Sequence, residues 1–216
     1  MYVPPANRVD DETEAVAFVE AHPFAVLCVN GPDGPVVAHV PLVVEKNEAG
    51  VLVALIGHFA RANPIQAQIG EAGTPVVAVF RGADAYVSPS LYPSKKLHGK
   101  VVPTWAYLAA EARGTIVMDT DPTQMATYLR PLTEKMESHR PVPWAISDAP
   151  DDYMAKMSNA IIGFRIEVTS LIAKRKINQG KPEADYQGVL SAFAASDVPN
   201  EQTLSHEMTK ESVILS

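Results

Sequence analysis

Between residues 24 and 59, three runs rich in Val, Ile, Leu and Phe (24–30, 36–45 and 51–59) are separated by Gly31-Pro32-Asp33-Gly34 and Asn47-Glu48-Ala49-Gly50. Runs of β-branched and aliphatic residues of this length read as strands, and short separators rich in Gly, Pro, Asn and Asp return the chain at hairpin distance. An antiparallel meander exposes a row of unpaired backbone groups at each edge, so the chain must go on pairing until those edges are covered or joined. Further runs of the same kind stand at 75–81, 85–88, 105–112, 114–118, 161–169 and 171–177. The pattern predicts a mainly β fold with peripheral helices, its strands forming a closed or partly closed barrel.

The helices expected outside the strands are few. One spans 11–21, a short one 64–70, and a last one 182–195. Another starts at Thr120-Asp121-Pro122, where Gln124 takes the capping-box position three residues after Asp121, and Pro131 should break or kink it. With 216 residues and 47% apolar content the chain can fill one core, so a single domain over 1–195 is expected, followed by a polar tail or loosely docked helix over 196–216.

Charge and cysteine content narrow the classes further. A net charge of −7 opposes the strongly basic surface that duplex binding requires, so any DNA contact would have to be local. The short basic clusters are Lys95-Lys96-His98-Lys100 and Lys174-Arg175-Lys176. The sole cysteine, Cys28, lies in an apolar run and can form no intramolecular disulfide, which fits a reducing, cytoplasmic setting. No apolar stretch reaches the roughly 18 residues of a membrane span, and the N-terminal residues lack a signal-peptide pattern. Scattered histidines and one cysteine leave no metal-ligand spacing, and neither a nucleophile elbow nor a nucleoside triphosphate loop is present.

The densest chemistry lies at GHFARANP, residues 57–64, where a strand hands over to a helix. Asn63 followed by Pro64 has the form of an N-cap and first helical residue. The unpaired amides at such a start favour an anion, and Arg61 and His58 add donors beside it. The same residues also suit a plain helix start with a solvated arginine. A second dense stretch holds AYVSPS at 85–90 and HGKVVPTW at 98–105.

These three runs, in this order, resemble the PaiB-type family of FMN-binding negative transcriptional regulators, within the pyridoxamine phosphate oxidase-like superfamily. The resemblance spans roughly residues 1 to 195. It implies an FMN-binding split β-barrel and a homodimer, with the flavin in a groove between two subunits. FMN needs charged donors for its phosphate, backbone groups along its middle and apolar cover for its ring. Arg61, His58, Asn63 and Lys95 are the candidates for the phosphate, with Phe59 in the same run. His39 and Pro41 are candidates to lie beside the ring, and Pro103, Thr104 and Trp105 to cover it, across a dimer groove if they come from the partner. A late stretch, Lys176 to Gly180, resembles a family Lys-Leu-Ser-Gln-Asn motif, from which Lys176 and Gln179 are carried over as groove residues.

Two departures from the family pattern bear on affinity. Ala106 stands where relatives carry Asn, and Glu111 where His is expected, so an amide is lost and a carboxylate is brought near a phosphate-binding groove. Two functional classes remain open. In one the chain is a regulator, using FMN as sensor or structural cofactor and acting on DNA or through a regulatory partner. In the other it is a flavin-dependent oxidoreductase or flavin reductase acting on a small molecule. Fold-level likeness decides neither.

Overall fold

The computed structural model describes residues 1–214, with side chains to residue 210. Seven strands form one sheet: β1 (Arg8–Val9), β2 (Phe24–Gly31), β3 (Gly34–Lys46), β4 (Leu52–Ala60), β5 (Thr74–Val87), β6 (Thr104–Asp119) and β7 (Ile161–Lys176). Their order is β1-β7-β4-β3-β2-β5-β6, and an additional β7–β6 pairing joins the two sides. Six strands therefore close on themselves, with β1 as an extra pair on β7, and the barrel edge that the meander exposed is removed. The register holds Val26 against His39 and Val79, Val43 against Ile56, and Ile56 against Arg165.

The chain falls into two compact units: 1–10, 81–109 and 172–216 form the first, and 11–80 and 110–171 the second. Strands β5, β6 and β7 contribute residues to each. In the second unit the inward face of the strands is the core, filled by Ala25, Leu27, Val40, Leu42, Leu55, Phe80, Ile116, Phe164 and Ile166. Three helices belong to this unit: α1 (Glu12–Ala21), α3 (Met125–Glu137) and α4 (Asp151–Ser158). Asp11 caps α1 by accepting from the Thr13 amide at 2.8 Å, and Glu12 and Glu14 complement its positive end. The first unit holds α2 (Ser94–His98), α5 (Glu183–Ala194) and α6 (Pro199–Ile214).

Three expected interruptions are absent. The runs 75–81 and 85–88 are one strand, β5, as are 105–112 and 114–118 in β6, and 161–169 and 171–177 in β7. In β5 the buried residues change from Val76, Ala78 and Phe80 to Ala83, Ala85 and Val87, so the alternation shifts by one at Arg81-Gly82 without ending the strand. In β6 the apparent breaker Gly114 allows β7 close: a methyl group there would lie 2.1 Å from the Glu167 carbonyl oxygen.

The helix expected to break or kink at Pro131 does not break there but continues through it, as α3. Proline removes one hydrogen bond, whereas tertiary contacts hold both halves: Met125 is buried, and Lys135 Nζ donates to the Glu20 carbonyl at 2.6 Å. In the 196–216 segment α6 packs on α5, burying Leu204 and Met208, and Tyr186 Oη donates to the Met208 carbonyl at 2.7 Å. Residues 215 and 216 of that segment lie outside the described residues.

Candidate functional site

Of the candidates in the second unit, His39, Pro41 and His58 share the outward face of the sheet, while Phe59 faces the core. Leu42 opposite Gly57 and Val43 opposite Ile56 set this parity, because successive residues of a strand point to opposite faces. Phe59 is 3% exposed and stacks on Phe164 at 5.1 Å between centroids. Its ring is therefore a packing element. His39 is exposed beside Phe24, 6.2 Å between ring centroids, and Pro41 lies opposite Phe24 in the register. His58 lies opposite Gly163, and its Nδ1 is buried without a hydrogen-bond partner. Burial pulls its pKa below the usual histidine value and so favours the neutral ring.

Arg61 is engaged with the backbone. Its Nε donates to the Asn159 carbonyl at 2.9 Å, and its Nη2 to the carbonyls of Thr120 and Ile161, each at 3.1 Å. Its own amide donates to Ala160 O at 2.8 Å, and the Gln66 amide nitrogen donates to its carbonyl. The helix expected over 64–70 is a 3-10 turn, Pro64–Gln68, and Asn63 Oδ1 accepts from the Ile65 amide at 3.1 Å. The side chain that caps this turn thus takes one of the amides that an anion would use, and the turn is too short to sum an appreciable dipole.

The first unit brings together a different set. Lys176 Nζ donates to Thr104 Oγ1 at 2.7 Å. The ammonium is half-buried, and among the described residues no carboxylate pairs with it. Its neighbour Lys174 is instead placed 4.9 Å from the centroid of the Tyr107 ring and donates to the Tyr2 carbonyl. Gln179 closes the turn after β7: its Oε1 accepts from the Ile177 amide at 2.8 Å and its Nε2 donates to the Arg175 carbonyl. Asn178 inside that turn has φ 69°, and its buried side chain meets the Tyr92 hydroxyl. Lys95 is exposed on α2, and Pro103 is exposed just before β6.

Trp105 is 49% exposed, yet its indole is fixed: Nε1 donates to Asp84 Oδ1 at 2.9 Å, and Arg81 Nη2 holds Asp84 Oδ2 at 2.9 Å. Tyr86 meets the indole edge-on at 6.1 Å between centroids. Asp84 and Arg81 were not expected from the sequence as part of a site, because nothing in their spacing shows that β5 sets them beside β6. The two departures from the family pattern fall elsewhere. Ala106 is buried at 1% exposure, and Glu111 is paired with Arg113 at 2.8 Å, so its charge is answered locally.

The pieces suit a flavin phosphate and ring. A half-buried ammonium that no carboxylate pairs with among the described residues, beside a hydroxyl, could hold a dianion, and an immobilised, exposed indole is a flat apolar surface. The mainly antiparallel, closed sheet places the chain in the class of flavin-binding split-barrel folds. In fold it is similar to the FAD and heme binding protein from Mycobacterium smegmatis, with TM-score 0.57 at 14% identity over 86% of this chain and 80% of that one. It is also similar to the flavocytochrome Anf3 from Azotobacter vinelandii, with TM-score 0.56 at 14% identity over 83% and 74%.

The chain belongs to the family described as "Putative FMN-binding domain", whose model matches residues 1–170. FMN is accordingly its cofactor. The PaiB-type resemblance is borne out by the protein named "Protease synthase and sporulation protein PAI 2" of Bacillus subtilis, 29% identical over 96% of each chain. An uncharacterized protein of Emericella nidulans is 31% identical over 81% of this chain and 83% of its own. Among the described residues no helix is long and apolar enough to cross a membrane, and no cluster of three or more His, Cys, Asp or Glu could hold a metal.

Proposed function

We propose that this chain is a homodimeric FMN protein with a regulatory role, in which Lys176 and Thr104 anchor the phosphate. The observation that carries this reading is the Lys176–Thr104 contact at 2.7 Å, which holds a cation in place without cancelling its charge. FMN, when bound, supplies redox chemistry at its ring. This chain's residues supply binding and orientation: Lys176 contributes charge and two further N–H donors, and Trp105, braced by Asp84, offers ring cover in a groove shared by two copies.

The homodimer reading is supported by the outward face of β2, β3 and β5 in the second unit. Phe24 is 66% and Val37 50% exposed there, and Val26, Cys28, Val77 and Val79 are half-buried around them. His39 and Pro41 stand on the same face. A contiguous apolar patch of this kind is what a partner surface covers. The regulatory reading follows the PaiB-type resemblance, and the name of the Bacillus subtilis relative refers to sporulation. With a net charge of −7, action through a protein partner is favoured over unaided contact with duplex DNA.

Titration of the purified protein with FMN, followed by the flavin absorption bands, tests the anchor; a Lys176→Met variant should need at least tenfold more FMN. Equal affinity removes Lys176 from the site. Anaerobic mixing of the loaded protein with NADPH should leave the ring oxidised; rapid bleaching would favour a flavin-dependent oxidoreductase instead.

A further inference from the structure

In the second unit, a recess of about 310 Å³ lies between α3 and the segment that follows it. Trp144, Pro143 and Ile146 form its apolar wall, and Arg130, Glu134 and Glu137 its polar side. Its volume is at the lower end of the range of about 300–1,000 Å³ typical of small-molecule sites. The recess is held open by specific bonds. The Trp144 amide donates to Glu137 Oε2 at 3.1 Å, tying the loop back to the last turn of α3. At the next residue, the Ala145 amide donates to Asp148 Oδ2 at 2.9 Å and fixes the 3-10 turn Ile146–Asp148.

We propose that this recess binds a small organic ammonium ion with an apolar or aromatic body. The ligand class follows from the lining. Two carboxylates and one guanidinium leave the site with a net negative charge, and Arg130 meets Glu134 only at 4.0 Å, too long for a strong pair. Trp144 is 43% exposed, and the π-face of an indole attracts a cation while its edges and the neighbouring Pro143 and Ile146 accept an apolar body. An anion of the same shape would face both carboxylates, and a neutral analogue would lose the charge-assisted bond. None of its lining residues is among the groups assigned to FMN, and the proposal does not depend on that assignment.

Calorimetric titration of the FMN-loaded protein with phenethylamine, phenethyl alcohol and phenylacetate tests the proposal. Phenethylamine should bind saturably at millimolar or lower concentration, with the alcohol and the acid at least tenfold weaker. Glu134→Gln, on an exposed helical face where the fold tolerates it, combined with Glu137→Gln should weaken amine binding at least tenfold without changing FMN occupancy. Trp144→Leu should do the same. Absence of saturable amine binding, equal binding of the alcohol, or full affinity in both variants overturns the proposal, whichever way the FMN titration turns out.

Discussion

Lys176 and Thr104, 72 positions apart in the chain, meet at 2.7 Å between Nζ and Oγ1. A hydroxyl orients an ammonium but does not neutralise it, so the site keeps its positive charge. Lys176→Ala should therefore weaken FMN binding by about 1.5–3 kcal/mol, the usual worth of a hydrogen bond to a charged group. Thr104→Val should cost less, because it removes the orienting group and leaves the charge. Flavin fluorescence titration of the two variants checks both magnitude and order.

Arg61 is expected to behave oppositely. Its guanidinium satisfies the carbonyls of Asn159, Thr120 and Ile161, three backbone groups from two distant segments. Arg61→Ala should lower unfolding stability by about 1.5–3 kcal/mol in urea titration, with FMN affinity of the folded fraction unchanged. A variant of normal stability and weak FMN binding would return Arg61 to the cofactor.

Gly163 leaves room for the Tyr128 ring: a methyl group at position 163 would lie 2.3 Å from Tyr128 Cδ2. Tyr128 is held there by its hydroxyl, which donates to Asp119 Oδ2 at 3.2 Å, and burial together with that carboxylate pushes its pKa up to about 12. Gly163→Ala should destabilise by about 1–3 kcal/mol through overpacking. Most of that loss should disappear when Tyr128→Ala is combined with it, as thermal melts of the single and double variants would show.

His58 makes stability depend on pH. Burial lowers its pKa from the ordinary 6.5, so the unfolded chain takes up a proton here before the folded one does. Stability is full above the unfolded value and falls as pH drops from 6.5 towards the lowered folded value. His58→Gln should flatten the pH dependence of the melting temperature across that window. An identical slope in both proteins would assign the proton uptake to other groups.

The apolar outward face gives a prediction about assembly. Charges placed at its centre, as in Phe24→Glu combined with Val37→Lys, should shift a dimer to monomer in light scattering, since a buried unpaired charge is costly. Flavin affinity should fall with it if the groove needs two copies.

How legible was this in the sequence? The first meander was, because its apolar runs and Gly- and Asn-containing turns are local signals; β2, β3 and β4 lie within one to two residues of where periodicity sets them. The long strands β5, β6 and β7 were read as pairs of short ones, because a change in the alternation at Arg81-Gly82 and a glycine at 114 resemble breaks when no neighbouring strand is in view. At the site, Lys176 was named by motif, but its contact with Thr104 was not, and Arg61 was read as an anion donor when its partners are carbonyls nearly 60 and 100 positions away.

The sequence by itself determined the mainly β class, the family and its flavin, since strand periodicity and short motifs are properties of neighbouring residues. Only the tertiary structure decided which cation has its donors taken up by backbone carbonyls and which meets a single hydroxyl. Arginine and lysine look alike as isolated letters, and the groups that answer them come from distant segments that folding brings within hydrogen-bond reach.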